Sequence, residues 1–289
     1  MTTTAEEQYE RETRSRVEPQ LLESDRMSRE LLPHGAWAPI KGMYDIGWKE
    51  WESLPNADFV RDLRQWDEEF LRDHSNDPWS HDFVPMIERQ ELTIEQLRFF
   101  SQQQYLRLEG FVENLARALL ANVRHRDIRD LVARHLAEET GHSTLYEDFC
   151  VEALGMNRVK DLWNGKPIGD RDRKETLSKF WLQHISGDDY TTMIMKYAII
   201  PFWERHLPRR NSVLSKVYRS VYNFPNTSLT FVDLHTYIDI YHERIGLYLL
   251  GKFANTKEKQ ELARNLFQAR RELQENDNQA IWQAMSHKR

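Results

Sequence analysis

Cysteine is nearly missing from this chain of 289 residues: Cys150 stands alone, so no internal disulfide can form, and a reducing compartment is expected. Long apolar runs are missing too. None approaches the roughly 20 residues that a bilayer-spanning helix needs, and the opening stretch MTTTAEEQYERETRSRV is polar and acidic, unlike a secretory signal. A cytoplasmic protein with no membrane partner is the expectation. Basic charge is also in short supply, with 40 Lys and Arg against 46 Asp and Glu for a net charge of -6. The basic residues are interspersed with acidic ones rather than gathered in a stripe, so nucleic acid is not an expected partner. Period-two alternation, internal repeats and low-complexity tracts are absent as well. What the chain has is apolar and aromatic mass. Its 40% hydrophobic content, with 9 Trp, 11 Tyr and 13 Phe, is enough to bury a sizeable core in one domain.

Helical periodicity runs through the sequence and predicts an all-α bundle. Residues 1–55 form an N-terminal extension packed on that bundle. Within it, 3–32 read as a polar helix that lies outside or reaches a partner subunit, which leaves room for a homodimer. Residues 33–55 are irregular: Pro33, Gly35, Pro39, Gly42, Gly47 and Pro55 interrupt Trp37, Tyr44, Trp48 and Trp51, a segment suited to walling a pocket. Residues 56–289 form the bundle. Helices are predicted over 57–73, from an N-cap at Thr93 to about 121, over 127–154 with a stop at Gly155, and near 173–185, 188–206, 211–222, 228–253 and 257–285.

The chemistry sits on three of these helices. In FVDLHTYIDIYHERIGLYLLGKF, the residues His235, Asp239 and His242 fall within an arc of roughly 60° on a helix. Phe231, Ile238, Ile245 and Leu249 project beside that arc, whereas Asp233, Thr236, Glu243 and Arg244 lie toward the other side, so the His/Asp face points to the core. A metal-free hydrogen-bonded cluster would be the plain reading of one such triplet. In DIRDLVARHLAEETGHSTLYEDFCVEAL, however, His135, Glu139 and His142 repeat the spacing, and Glu138 lies near the same face. Two core-facing combs would each bury charge without compensation unless a metal satisfied them. Glu204 is a third contribution, a lone carboxylate on a stripe of Met193, Tyr197, Ile200 and Leu207, with Arg205 or Arg209 as alternative salt-bridge partners. His206 is expected to point away to the surface.

The order LAEETGHSTLYEDFCVEALGM, then a single Glu on a later helix, then His-x3-Asp-x2-His, resembles the haem-oxygenase-like dimetal oxidases, relatives by fold of haem oxygenase and of the thiaminase II group. The resemblance covers about residues 94–253. It implies a seven-helix bundle without bound haem, with two Fe(II) ions between three core helices and O2 as co-substrate. Carried over residue by residue, Glu139 and His142 come from the first core helix, Glu204 from the second, and His235, Asp239 and His242 from the third, with Glu139, Glu204 and Asp239 as the catalytic carboxylates. Three departures are visible. The run Glu139-Thr140-Gly141-His142 is compressed, as in the subgroup that acts on fatty acids; Glu204 follows Pro201 rather than preceding it; and His135, which with Glu138 is a further candidate for the metal site, matches no family ligand. The implied activity is oxidation of a small molecule, an amino acid before a fatty acid, with an external electron donor where the reaction needs one. Arg107, Gln104 and Asn114 form a polar stripe on the long helix that could meet the head group.

Three other readings use the same residues. A ferritin-like di-iron protein would recruit Glu109 together with Glu204. A thiaminase II-type hydrolase would need Cys150 as nucleophile. A helical adaptor would leave both combs unexplained.

Overall fold

The structure is a computed structural model that describes residues 49–73, 83–121, 126–166, 168, 190–236 and 238–286. The polar helix expected over 3–32, most of the Pro/Gly/Trp segment that follows it, and the helix expected near 173–185 lie outside the described residues. What is described is helical, with no strand: α1 (Ala57–Asp73), a short α2 (Val84–Glu88), α3 (Ile94–Ala121), α4 (Arg126–Glu152), α5 (Tyr190–Trp203), α6 (Leu207–Ser220), α7 (Thr230–Leu234), α8 (Ile238–Phe253) and α9 (Lys257–Ser286).

Local chemistry accounts for several boundaries. The Thr93 hydroxyl accepts from the Gln96 amide at 3.2 Å while the Gln96 side chain accepts from the Thr93 amide at 3.0 Å, a reciprocal cap that opens α3. At the end of α4, Gly155 takes φ +62°. Its amide donates to the Val151 carbonyl and that of Met156 to the Cys150 carbonyl, the paired closing bonds that a left-handed glycine allows. Pro201 falls within α5 and Pro208 near the start of α6; each lacks the N–H that a continuous α-helix would use. Between them the chain tightens into a 3-10 turn, Glu204–His206, so Glu204 sits at a joint between two helices rather than inside one.

The third core helix is not continuous as predicted. It breaks after Leu234: His235 and Thr236 form a turn, and a new helix starts at Ile238. Nor is one side of it solvated. Thr236, Glu243 and Arg244 are buried along with the apolar residues, because α8 runs through the middle of the bundle, packed against α5, α1 and the Glu204 turn. Glu243 is matched by Arg205 at 3.3 Å and Arg64 at 3.4 Å.

One apolar cluster joins α1, α5, α8 and α9 through Val60, Ile199, Phe202, Ile245, Leu250 and Phe267. The other joins α3, α4, α6 and α7 through Leu97, Phe100, Phe149, Leu214, Tyr218 and Phe231. The functional residues lie where the two meet. The crossing of α8 and α5 is close because position 246 has no side chain: a Cβ on Gly246 would stand 2.5 Å from the Phe202 nitrogen. Gly246→Ala must therefore push the two helices apart, and a loss on the order of 1–3 kcal/mol is expected in urea unfolding. Gly141→Ala is the control. Nothing lies within 4 Å of its Cβ position, so alanine should be neutral or stabilising by up to about 1 kcal/mol. Equal effects of the two substitutions would refute the close-crossing argument.

Candidate metal centre

Eight ionisable side chains with almost no solvent exposure converge at this junction: His135, Glu138, Glu139 and His142 from α4, Glu204 from the 3-10 turn, His235 from the turn after α7, and Asp239 and His242 from α8. Their donor atoms form two groups. His135, Glu139, Glu204 and His242 each offer one atom within 4.8 Å of the others, and so do Glu139, His142 and His235. Glu139 belongs to both. Asp239 adjoins the first group, its Oδ1 lying 3.4 Å from His242 Nδ1.

The break between α7 and α8 divides the ligand comb. His235, left on the turn, meets His142 with ring centroids 4.6 Å apart, while His242 meets His135, also at 4.6 Å. A continuous helical wheel predicted one shared face and could not show this division.

The imidazoles are oriented from outside the cluster. His235 Nδ1 donates to the Phe231 carbonyl at 2.8 Å, which leaves its Nε2 lone pair for the centre. His242 Nε2 donates to Glu138 Oε2 at 3.3 Å, turning Nδ1 inward. Glu138 thus stands behind a candidate ligand rather than in either donor group. Outer partners of this kind set the tautomer of metal-bound histidines.

His242 Nδ1 and Glu204 Oε2 approach to 2.6 Å, so either a proton on Nδ1 or a metal ion has to stand between the two lone pairs. Asp239 Oδ1 and Oδ2, Glu204 Oε2, His242 Nδ1 and His135 Nε2 are all buried without a hydrogen-bond partner. Orphaned buried acceptors are costly, and a set of carboxylate oxygens and imidazole nitrogens suits a divalent transition metal. The residues present therefore fit a metal centre.

The electrostatics agree. Burial pushes the Asp239 carboxyl up to about 7, with the Glu204 and Glu139 charges adding to the effect. Burial also pushes His235 down to about 3, keeping its imidazole neutral. For Glu139, burial opposes the charge, but His142, His242 and His135 hold it far below the usual carboxylate range. Glu204 is likewise lowered, its burial outweighed by His242 and His135. Burial disfavours the His142 and His242 cations as well, but Glu139 raises the first, and Glu204, Asp239 and Glu138 raise the second well above its ordinary value.

A cavity of about 990 Å³ opens onto the centre, lined at its inner end by Glu139, Glu204, His235 and Asp239 and walled by Phe100, Phe111, Tyr146, Ile200, Trp203 and Phe231. Gln104, Arg107 and Asn114 face it, but Arg107 is paired with Asp277 at 3.3 Å. Sequence reasoning missed Arg270. It lines the same cavity, its guanidinium is 5.0 Å from the Trp203 ring, its hydrogen bond goes to Gln274, and burial lowers it to about 10. Its helical pattern on α9 carried no signal, since the cavity exists only once α9 packs against α5. One expectation about a neighbour needs correction, and the alternative of an Arg205 salt bridge to Glu204 is not met. His206 does not point to the surface but faces buried Asp67, Nε2 to Oδ2 3.0 Å. Arg205 pairs with Asp67 at 2.7 Å and Glu68 at 2.6 Å, not with Glu204. Glu109 is half-buried on α3 and belongs to neither donor group.

An all-α bundle that buries a two-lobed imidazole–carboxylate cluster beneath a large cavity defines a candidate metalloenzyme. The chain belongs to a family of iron-containing redox enzymes, whose model matches residues 98–275, a stretch that contains both donor groups. The bundle is similar to the crystal structure of a TenA homolog from Pseudomonas syringae pv. tomato, which is 16% identical, covers 82% of this chain and 97% of its own, and superposes with a TM-score of 0.58. At that identity the likeness concerns the fold alone. Comparison with curated proteins gives no match. No helix among the described residues is long and apolar enough to cross a membrane.

The protonation pattern carries a testable consequence. In the metal-free protein His142 and His242 are raised above 6.5, so the stability they lend is full below that value and is lost as pH rises through their folded values. Asp239, raised from 3.8 to about 7, acts in the same direction. Glu139, Glu204 and His235 are lowered, and their contributions are complete by about pH 7.5. The metal-free protein should therefore melt at lower temperature at about pH 8.5 than at about 7.5, and Co(II)-loaded protein should not, since the metal replaces the protons. A metal-free melting temperature that rises across this interval would contradict the assignment.

Proposed function

We propose that the cluster holds two iron ions and that the protein uses O2 to oxidise a small carboxylic acid. The observation that carries this reading is Glu139: one buried carboxylate shared by two donor groups whose remaining inward atoms lack partners. Glu139, His142 and His235 would hold one ion; Glu139, Glu204, Asp239 and His242 would hold the other. Bound Fe(II) supplies the capacity to bind and reduce O2, with an external donor furnishing electrons where the reaction requires them. The chain's own residues do the rest. Phe111, Ile200, Trp203 and Phe231 exclude water from the inner end of the cavity, and Arg270 offers its guanidinium to the acid group while Gln104 and Asn114 offer hydrogen bonds.

An amino acid remains the preferred substrate because polar side chains line the cavity wall alongside that cation. The apolar inner wall, and a volume at the upper end of the roughly 300–1,000 Å³ usual for ligand pockets, favour a fatty acid as the second reading. A thiol hydrolase is not supported. Cys150 is fully buried, and burial pushes its thiol far above the ordinary range, away from the reactive thiolate.

Elemental analysis after anaerobic loading tests the centre. Wild type should hold about two irons per chain, Glu139→Ala should lose both positions because both share that carboxylate, and Glu109→Ala should keep them. Loss of iron in the Glu109 variant equal to that in the Glu139 variant would favour a ferritin-like arrangement instead. For the substrate, Arg270→Gln should raise KM about tenfold or more for the acid that turns over, with iron content unchanged, as expected when a charged anchor is removed. An unaltered KM would remove Arg270 from the site.

A further inference from the structure

We propose that His135 is a seventh protein donor to the metal centre, held in its ligating tautomer by the Tyr197 hydroxyl, and that it makes the two metal positions unequal. The proposal rests on the di-iron reading above.

His135 is wholly buried, one helical turn before Glu139 on α4. Its Nδ1 lies 2.9 Å from the Tyr197 hydroxyl, so that nitrogen is engaged outside the cluster. Its Nε2 points inward, 3.5 Å from Glu204 Oε1 and 3.8 Å from Glu139 Oε1, with no partner at hydrogen-bonding geometry. An imidazole that served only to pair with a carboxylate would close on one oxygen. Standing off two oxygens at similar distances, this one leaves room for an ion among the three. The ring has little freedom to turn elsewhere, since Phe111 meets it edge-on at 5.9 Å and the His242 ring packs at 4.6 Å. The same pattern, one nitrogen tied outside and the other directed in, holds for His235 and His242, which is how proteins orient ligating histidines.

With His135 included, one position draws on His135, Glu139, Glu204 and His242, with Asp239 adjoining, while the other draws on Glu139, His142 and His235. The cavity touches His235 but neither His135 nor His142. The cavity reaches both positions, through Glu204 and Asp239 of the first and His235 of the second, so the inequality lies in the number of protein donors: the donor-poor position keeps more room for exogenous ligands.

Anaerobic Co(II) titration, followed by visible absorption and equilibrium dialysis, tests the assignment on wild type, His135→Ala, His135→Gln and Tyr197→Phe. Wild type should bind two ions. Both His135 variants should retain one tight ion and bind the second at least about tenfold more weakly, with loss of that ion's visible bands. Tyr197→Phe should weaken the same ion by about tenfold and still reach two at saturation, in the range typical for removing an outer partner of a ligand. If wild type binds two ions and the His135 variants match it in affinity and spectrum, the proposal is overturned and the six-ligand centre stands. If wild type binds none, the di-iron reading fails and the proposal with it. Should the His135 variants not fold by circular dichroism, Tyr197→Phe decides: unchanged affinity overturns the proposal and a weakened ion supports it.

Discussion

Burial of like-charged carboxylates beside imidazoles is the constraint on which the rest of this structure depends. Glu139, Glu204 and Asp239 lie within one small volume with at most a few per cent of their surface exposed, beside the imidazoles of His135, His142, His235 and His242. Leaving such charges uncompensated would cost several kcal/mol each, on the order seen for desolvated ions. The available compensation is protons, a metal, or both in competition. The displaced proton affinities of His242, upward, and His235, downward, are the response of the protein side to that problem.

The surrounding architecture ties several nearby basic residues to carboxylates outside the cluster. Asp67 gathers Arg205, Arg271 and His206; burial opposes its charge, yet His206 and Arg205 hold its carboxyl below the usual range. Glu243 engages the remaining face of Arg205 together with Arg64. These pairs occupy the basic residues at the joint between α5 and α6, while Glu204 faces the His135 and His242 imidazoles and feels the Arg270 charge across the cavity. The close crossing at Gly246 acts in the same sense: it sets the distance between the Glu204 turn and the His242 face of α8, and with it the size of the space left for an ion.

Much of this was legible beforehand. The two combs, their order and the lone Glu204 identified the converging residues because offsets of three, four and seven report directly on helical faces. The reciprocal cap at Thr93 and the stop at Gly155 were legible for a similar reason, since each involves residues within a turn of one another. The helix break after Leu234 was not. His235 and Thr236 carry no proline or glycine to mark it, and the resulting division of His235 from His242 depends on how α7 packs against α4 and α6.

By itself, then, the sequence determined the all-α class, the helical faces that bury charge and the identity of the residues that converge, all properties encoded over a few residues of chain. The tertiary structure alone decided that Glu139 is shared, that His135 turns inward against Tyr197, that Glu138 stands behind His242, and that Arg270 reaches the cavity. Each of these joins residues separated along the chain or selects one of two ring nitrogens. Such choices follow from the packing of whole helices against one another, which local periodicity does not contain.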